Sequence, residues 1–125
     1  MPLISIVVPC FNEQESLPIF LKELDGIVRT MTQQDPGISF EAVLVDDGSA
    51  DATLPVMKAE AAASHPYPIH WYSLSRNFGK EAALFAGLQH AKGDYVATMD
   101  ADMQDPPSLL PQMYEILQTE DYDNV

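Results

Sequence analysis

The run DYVATMDADMQDPP, residues 94–107, sets an apolar strand directly against an acidic loop and the start of a helix. Tyr95 to Met99 are apolar or β-branched, the composition of a buried strand. Asp100, Asp102 and Gln104 then place oxygen-bearing side chains at every second position. An extended backbone sends alternate residues to the same side, so these three can converge on one point. Hard oxygen donors with no Cys or His beside them suit Mg²⁺ or Mn²⁺ and argue against zinc. Asp105 followed by Pro106 fits a helix N-cap and first turn. An Asp-x-Asp after a strand is also common in solvated turns, so the stretch alone leaves both readings open.

Upstream, the same unit recurs. Leu3 to Val8 is a near-continuous apolar run that ends at Pro9, as for a strand buried on both faces. Asn12 with Glu15 three residues on resembles a capping box. Ile19, Phe20, Leu24, Ile27, Val28 and Met31 then recur at helical spacing, until Asp35-Pro36-Gly37 breaks the pattern. Phe40 to Val45 is a second strand, closed by Asp46-Asp47-Gly48-Ser49. A helix is expected from about Ala52 to Ala63, with Asp51 as cap and Pro55 tolerated near its start. Ile69 to Leu74 gives a third strand, Ser75 to Lys80 a loop, and Glu81 to Ala91 an alanine-rich helix capped by Gly93. A last helix is expected over about Ser108 to Thr119, and a fifth strand opening at Tyr122. A chain that stops on entering a strand reads as the first part of a longer one.

Alternation of this kind predicts one α/β domain over 1–125, a mostly parallel sheet with helices on both faces and right-handed crossovers. Ligands of such sheets bind beyond the carboxyl ends of the strands. Those ends carry Pro9 to Glu13, Asp46-Asp47, Arg76 to Lys80 and Asp100 to Gln104. Four loops with polar chemistry at one edge favour a site over solvation.

Composition narrows the partner. The 125 residues suffice for one core, and 46% apolar content marks a globular chain. Six basic residues against nineteen acidic ones leave a net charge of -13, with no basic stripe to neutralise a nucleic acid. An acidic site that handles phosphate requires divalent cations, in line with the Asp-x-Asp loop. The single Cys10 excludes a disulfide framework, suits a reducing compartment, and reads as a small buried residue. No apolar run reaches membrane-spanning length and no leader pattern opens the chain, so a soluble, cytoplasmic protein is expected.

The loops read together resemble the family 2 glycosyltransferases of GT-A fold, over essentially the whole chain. The matching pieces are Val8 to Glu13, Val45 to Ser49 with Asp51 and Thr53, and Asp100-Ala101-Asp102. Ser75 to Ala83 and Asp100 to Pro107 look more narrowly like the polyprenyl-phosphate branch, which holds dolichol-phosphate mannose synthases and undecaprenyl-phosphate glucosyltransferases. The resemblance implies metal-dependent, inverting transfer of a sugar from a nucleotide-sugar, UDP ahead of GDP, to a polyprenyl phosphate. It implies that Pro9, Phe11 and Glu13 line the nucleotide pocket, Glu13 accepting from the ribose. Asp47 would recognise the base with Asp46 in support, and Arg76 and Lys80 would meet phosphate oxygens. Asp100 and Asp102 would be the catalytic pair, with Ala101 between them against the nucleotide and Gln104 as a third metal ligand. His65, His70 and His90 read as structural or exposed. An ionised lipid phosphate needs no strong base to attack.

The acceptor side and membrane contacts of the family lie beyond Val125, so the resemblance implies a donor half, inactive alone, from a protein at the cytoplasmic membrane face. Three rival readings stand beside it. A receiver-like Mg²⁺-binding signalling domain would want its acid pair after the first strand, where Pro9 stands. A nucleotide-binding module without catalysis shares every loop feature. A sugar nucleotidyltransferase would need a Gly-rich loop after the first strand, which is absent.

Overall fold

The computed structural model describes residues 2–102 and 107–120. Its elements follow in the order β1 (Leu3–Cys10), α1 (Ser16–Gln34), β2 (Ser39–Asp46), α2 (Thr53–Ala62), β3 (Ile69–Ser73), α3 (Lys80–His90), β4 (Tyr95–Thr98) and α4 (Leu110–Glu120). A single 3₁₀ turn, Pro107–Leu109, leads into α4. The expected alternation is borne out, and every strand pair is parallel. The expected cap at Asp105-Pro106 and the fifth strand from Tyr122 lie outside the described residues.

The sheet order is β3-β2-β1-β4. From β1 the chain builds outward through β2 and β3, then returns to place β4 on the other flank of β1. The topological switch therefore lies between β1 and β4, where a parallel sheet leaves a crevice beyond its strand ends. β1 is enclosed from all sides. Ile4, Ile6 and Val8 join the larger core with Leu17, Phe20, Leu21 and Leu24 of α1, Met57 of α2 and Leu110 of α4. Val7 on the opposite face packs with Val43, Val45 and Ala83 of α3. Helices cover both faces, as the unbroken apolar runs of β1 and β2 require.

Several local expectations are corrected. β1 does not end at Pro9 but continues to Cys10, paired with Asp46. The Val7 carbonyl accepts the Met99 N–H at 3.0 Å, so by the period of two the Pro9 nitrogen also faces the β4 side. The β1–β4 pairing stops at Val7 with Thr98, so the missing donor costs no ladder bond. Asn12 is no capping box: α1 starts at Ser16 without a side-chain cap, and Asn12 adopts a left-handed φ of 55°. Ile19, assigned to the apolar face of α1, is 59% exposed, and Leu17 and Leu21 take the core positions instead. Gly93 does not cap α3, whose C-cap is Ala91. Its N–H instead donates to Ser5 Oγ at 2.8 Å, fastening the α3–β4 turn to β1.

Two buried polar groups hold the frame away from the strand ends. Glu41, 4% exposed, accepts from Ser5 Oγ at 2.5 Å and from the Lys92 N–H at 2.8 Å. His65 joins α1 to α2, with Nδ1 2.9 Å from Asp25 and Nε2 3.0 Å from Glu60. The Tyr67 hydroxyl donates to the same Asp25 at 2.6 Å, and burial pushes its own ionisation far up, reinforced by the Asp25 hydrogen bond and charge. His65 is thus structural, as the sequence suggested.

α3 lies close enough to the sheet for Gly87 to be required. A Cβ there would collide with Val7 Cγ1, and Val7 is fully buried and β-branched, with nowhere to turn. Gly87→Ala gains about 1 kcal/mol of helix propensity but incurs about 1–3 kcal/mol of overpacking. A net loss of up to about 2 kcal/mol is expected from urea unfolding, against the gain that propensity alone predicts. His65→Ala should lower stability by about 1–3 kcal/mol in the same assay, because Asp25 and Glu60 each lose a partner.

Candidate functional site

A cleft of about 330 Å³ opens at the carboxyl end of the sheet, over the switch between β1 and β4. Pro9 near the end of β1, and Phe11 and Glu13 from the loop after it, contribute to its walls, and the loop after β4 contributes Asp100, Ala101 and Asp102. Asp47 from the end of β2 and Lys80 from the start of α3 complete it. The structure thus brings together eight residues singled out from the sequence. Asp46 and Arg76 are not among the lining residues. Asp46 is buried, with Oδ1 accepting the Ser49 N–H at 3.1 Å, so it shapes the turn after β2. The Arg76 guanidinium lies 4.8 Å from the centre of the Phe78 ring, a cation–π contact at the surface. Gln104 lies outside the described residues.

Charge is unbalanced within the cleft. Its lining includes four carboxylates, Glu13, Asp47, Asp100 and Asp102, and the ammonium of Lys80. Lys80 Nζ sits 2.7 Å from Asp100 Oδ1, with the lysine side chain 59% exposed. An exposed pair of this kind is worth under about 1 kcal/mol, so either partner can be exchanged for a ligand group. Asp47 is held differently. Its Oδ1 accepts the Phe78 N–H at 2.9 Å and its Oδ2 the Gly79 N–H at 3.1 Å. Glu13 Oε2 accepts the Ser16 hydroxyl at 2.7 Å, and Glu13 lines the cleft.

Cys10 also borders the cleft but is 1% exposed, and its thiol donates weakly to the Val8 carbonyl. Burial drives its pKa far up, and the Glu13 and Asp46 charges push the same way, so it stays a protonated thiol. The three histidines lie elsewhere: His65 in the Asp25 network, His70 beside Glu41, and His90 stacked on Tyr72. No imidazole or thiolate competes for a cation among the lining residues, which leaves hard oxygen donors. Among the described residues no group of three or more His, Cys, Asp or Glu is arranged to hold a metal ion. Asp100 and Asp102 fit the other mode, in which Mg²⁺ or Mn²⁺ takes one or two carboxylates and completes its shell with ligand phosphate and water.

A reciprocal lock between the β1–α1 and β2–α2 loops went unread in the sequence. The Asn12 N–H donates to Ser49 Oγ at 2.9 Å, while Asn12 Oδ1 accepts the Ala50 N–H at 2.8 Å. The Glu13 N–H donates to Thr53 Oγ1 at 2.7 Å, and Gln14 Oε1 accepts the Ala52 N–H at 2.8 Å. Asp51 accepts from the Thr53 N–H at 2.9 Å and from the Gln14 N–H at 3.3 Å. Slight burial raises its pKa, but these hydrogen bonds, the Thr53 hydroxyl foremost, outweigh that and hold it below the usual carboxylate value. The signal was the clustering of short polar residues in both loops, types that bond backbone nearby and can equally bond a neighbouring loop.

The chain is 46% identical over 112 residues to the bactoprenol glucosyl transferase of Shigella phage SfV, covering 90% of this chain and 34% of that protein. It is 42% identical over 124 residues to an undecaprenyl-phosphate 4-deoxy-4-formamido-L-arabinose transferase of Sodalis glossinidius, covering 98% of this chain and 35% of that one. The chain therefore spans about a third of the length of these relatives. Among solved structures, S. aureus TarS 1-349 in complex with UDP-GlcNAc superposes with a TM-score of 0.72 at 22% identity, over 94% of this chain and 32% of that one. The mannosyltransferase PcManGT from Pyrobaculum calidifontis, in complex with GDP-Man and Mn²⁺, superposes equally well, at 0.72 and 24% identity, over 93% and 32%. At such identities the likeness is one of fold, and the fold is GT-A, as expected. The model of glycosyl transferase family 2 matches residues 5–125, nearly the whole chain, and to that family this chain belongs.

Proposed function

We propose that this chain is the donor-binding part of a glycosyltransferase that moves a sugar from a nucleoside diphosphate to a polyprenyl phosphate with inversion at the anomeric carbon. The observation that carries the reading is the convergence of Glu13, Asp47, Lys80, Asp100 and Asp102 on one cleft at the switch point. The names of the relatives, a bactoprenol and an undecaprenyl-phosphate transferase, support the choice of acceptor. Two neighbours of the same fold were solved with UDP-GlcNAc and GDP-Man, which supports a nucleotide-sugar donor and leaves uridine and guanosine as the bases to compare.

In this reading the nucleoside lies along Pro9, Phe11 and Glu13, where an exposed aromatic ring offers a stacking surface and a carboxylate can accept ribose hydroxyls. The diphosphate lies between Lys80 and the Asp100–Asp102 pair, and Ala101, with its short side chain between the two acids, leaves room for it. Four carboxylates against one ammonium would repel a dianionic ligand, so Asp100 and Asp102 hold Mg²⁺ or Mn²⁺ alongside it. Such an ion neutralises charge on the departing nucleoside diphosphate. The acceptor oxygen, ionised at neutral pH, approaches the face of the sugar away from the diphosphate and needs no base. That agrees with a cleft whose described lining contains no histidine. Asp46 and Arg76 are not among the residues lining the cleft: Asp46 shapes the turn beneath, and Arg76 packs on Phe78.

Calorimetric titration of UDP and GDP, each with Mn²⁺ and with chelator, tests the reading directly. Metal-dependent binding is expected for one of the two, and Asp102→Ala should weaken it by at least about tenfold, as loss of a direct ligand exceeds typical outer-shell effects. Binding that is equal with chelator, or unchanged in Asp102→Ala, would rule the metal reading out. The 125-residue chain should show no sugar transfer to a lipid phosphate even where it binds donor, since it spans a third of the relatives' length. Radiolabelled sugar appearing in the lipid fraction would contradict that.

A further inference from the structure

α1 buries Leu17, Phe20, Leu21, Leu24, Val28 and Met31 against the sheet. Its opposite side carries Ile19, Gly26 and Gln33, seven residues apart and so in line along the helix. Ile19 is 59% exposed, and Gly26 and Gln33 are exposed as well. A single exposed isoleucine is ordinary. Gly26 is the unexplained residue. It stands inside a helix of 19 residues, where glycine weakens the helix relative to alanine. It has no positive φ, and a Cβ there would meet nothing within 4 Å among the described residues. The fold of one chain gives no reason for a glycine here, whereas a second helix passing close by does.

The flanks of the line are charged. About 100° per residue sets Lys22 roughly 40° to one side of Gly26 and Glu23 roughly 60° to the other. Both are exposed, and neither belongs to an ion pair among the described residues. Arg29 lies on the side of Lys22 and Thr30 on the side of Glu23. The Thr30 hydroxyl already donates to the Gly26 carbonyl at 3.1 Å, so it brings no unpaired donor into a contact.

We propose that the outer face of α1 is the contact between two copies of this chain, their α1 helices side by side and parallel with Gly26 at the closest approach. In a parallel two-fold pair each residue of the line meets its own copy, Ile19 on Ile19 and Gly26 on Gly26. Lys22 of each helix then lies beside Glu23 of the other, once on each side of the line. An antiparallel pair would set Lys22 beside Arg29 of the second copy, like charge against like. The charge pattern therefore selects the parallel arrangement. Helices of about 28 Å give a small contact, which makes the dimer a weak one. α1 returns from the carboxyl end of β1 to the amino end of β2, against the direction of the strands. A two-fold axis along α1 thus leaves both clefts at one end of the dimer, which suits acceptors held in a single membrane.

Sedimentation equilibrium of the 125-residue chain, from about 10 μM to 1 mM, tests the contact without nucleotide. A monomer–dimer equilibrium is expected within that range. Gly26→Leu should abolish it while circular dichroism and urea unfolding show an intact fold, since the new side chain meets solvent in the monomer. Lys22→Glu should weaken the dimer by at least about tenfold, because it sets like charges face to face. Lys22→Glu combined with Glu23→Lys should return it to within about threefold of wild type. Ile19→Cys should cross-link to its own copy under mild oxidation, as in a parallel pair and not in an antiparallel one, where Gln33 stands opposite. A chain that stays monomeric at about 1 mM overturns the proposal and leaves Gly26 to a partner other than a second copy. A Gly26→Leu dimer as strong as wild type, a charge swap without recovery, or an Ile19→Cys chain that does not cross-link would overturn it equally. Since no arm involves a nucleotide, each of these outcomes leaves the donor-site reading standing.

Discussion

The enclosure of β1 is the constraint on which the molecule depends. β1 is hydrogen-bonded on one side to β2 and on the other to β4, and its two faces are sealed by α1 and α3. A strand so enclosed can be approached by a ligand just at its carboxyl end, and there its pairing with β4 stops at Val7 while its pairing with β2 runs on to Cys10. The three-residue difference is the opening of the cleft. Pro9 sits in that gap, in a place where a residue with an N–H would present an unpaired donor.

Around the opening, loops satisfy one another's backbone and not only their own. Asn12, Gln14, Ser49, Asp51 and Thr53 exchange hydrogen bonds between two loops, and Asp47 and Gly48 tie one of those to a third. The result is a floor held by many bonds with few rotatable parts, which is the arrangement expected of a preorganised site. Against it stands the Lys80–Asp100 pair, whose lysine side chain is exposed. The contrast divides the acidic residues by task. Asp46, Asp47 and Asp51 are committed to backbone, whereas Asp100 and Asp102 line the cleft from the loop after β4.

The sequence alone determined the alternation of strands and helices, the parallel sheet and the edge at which polar loops gather. Those follow from periodicity and from the apolar runs of Leu3 to Val8 and Phe40 to Val45, which have no stable place but a sheet covered on both faces. It also determined most of the cleft, because residues after parallel strands share one edge whatever the strand order. Element ends were less legible, as at Pro9, Asn12 and Gly93, where a local rule for turns or caps competed with a partner far along the chain: the flank of β4, Ala50 and Ser5. Only the tertiary structure decided which acids face the cleft. Asp46 and Asp47 are neighbours of the same type, and nothing local separates the one that shapes a turn from the one that reaches α3. That choice depends on strand order and on how closely the loops pack, and both are set by residues remote in sequence meeting across the sheet.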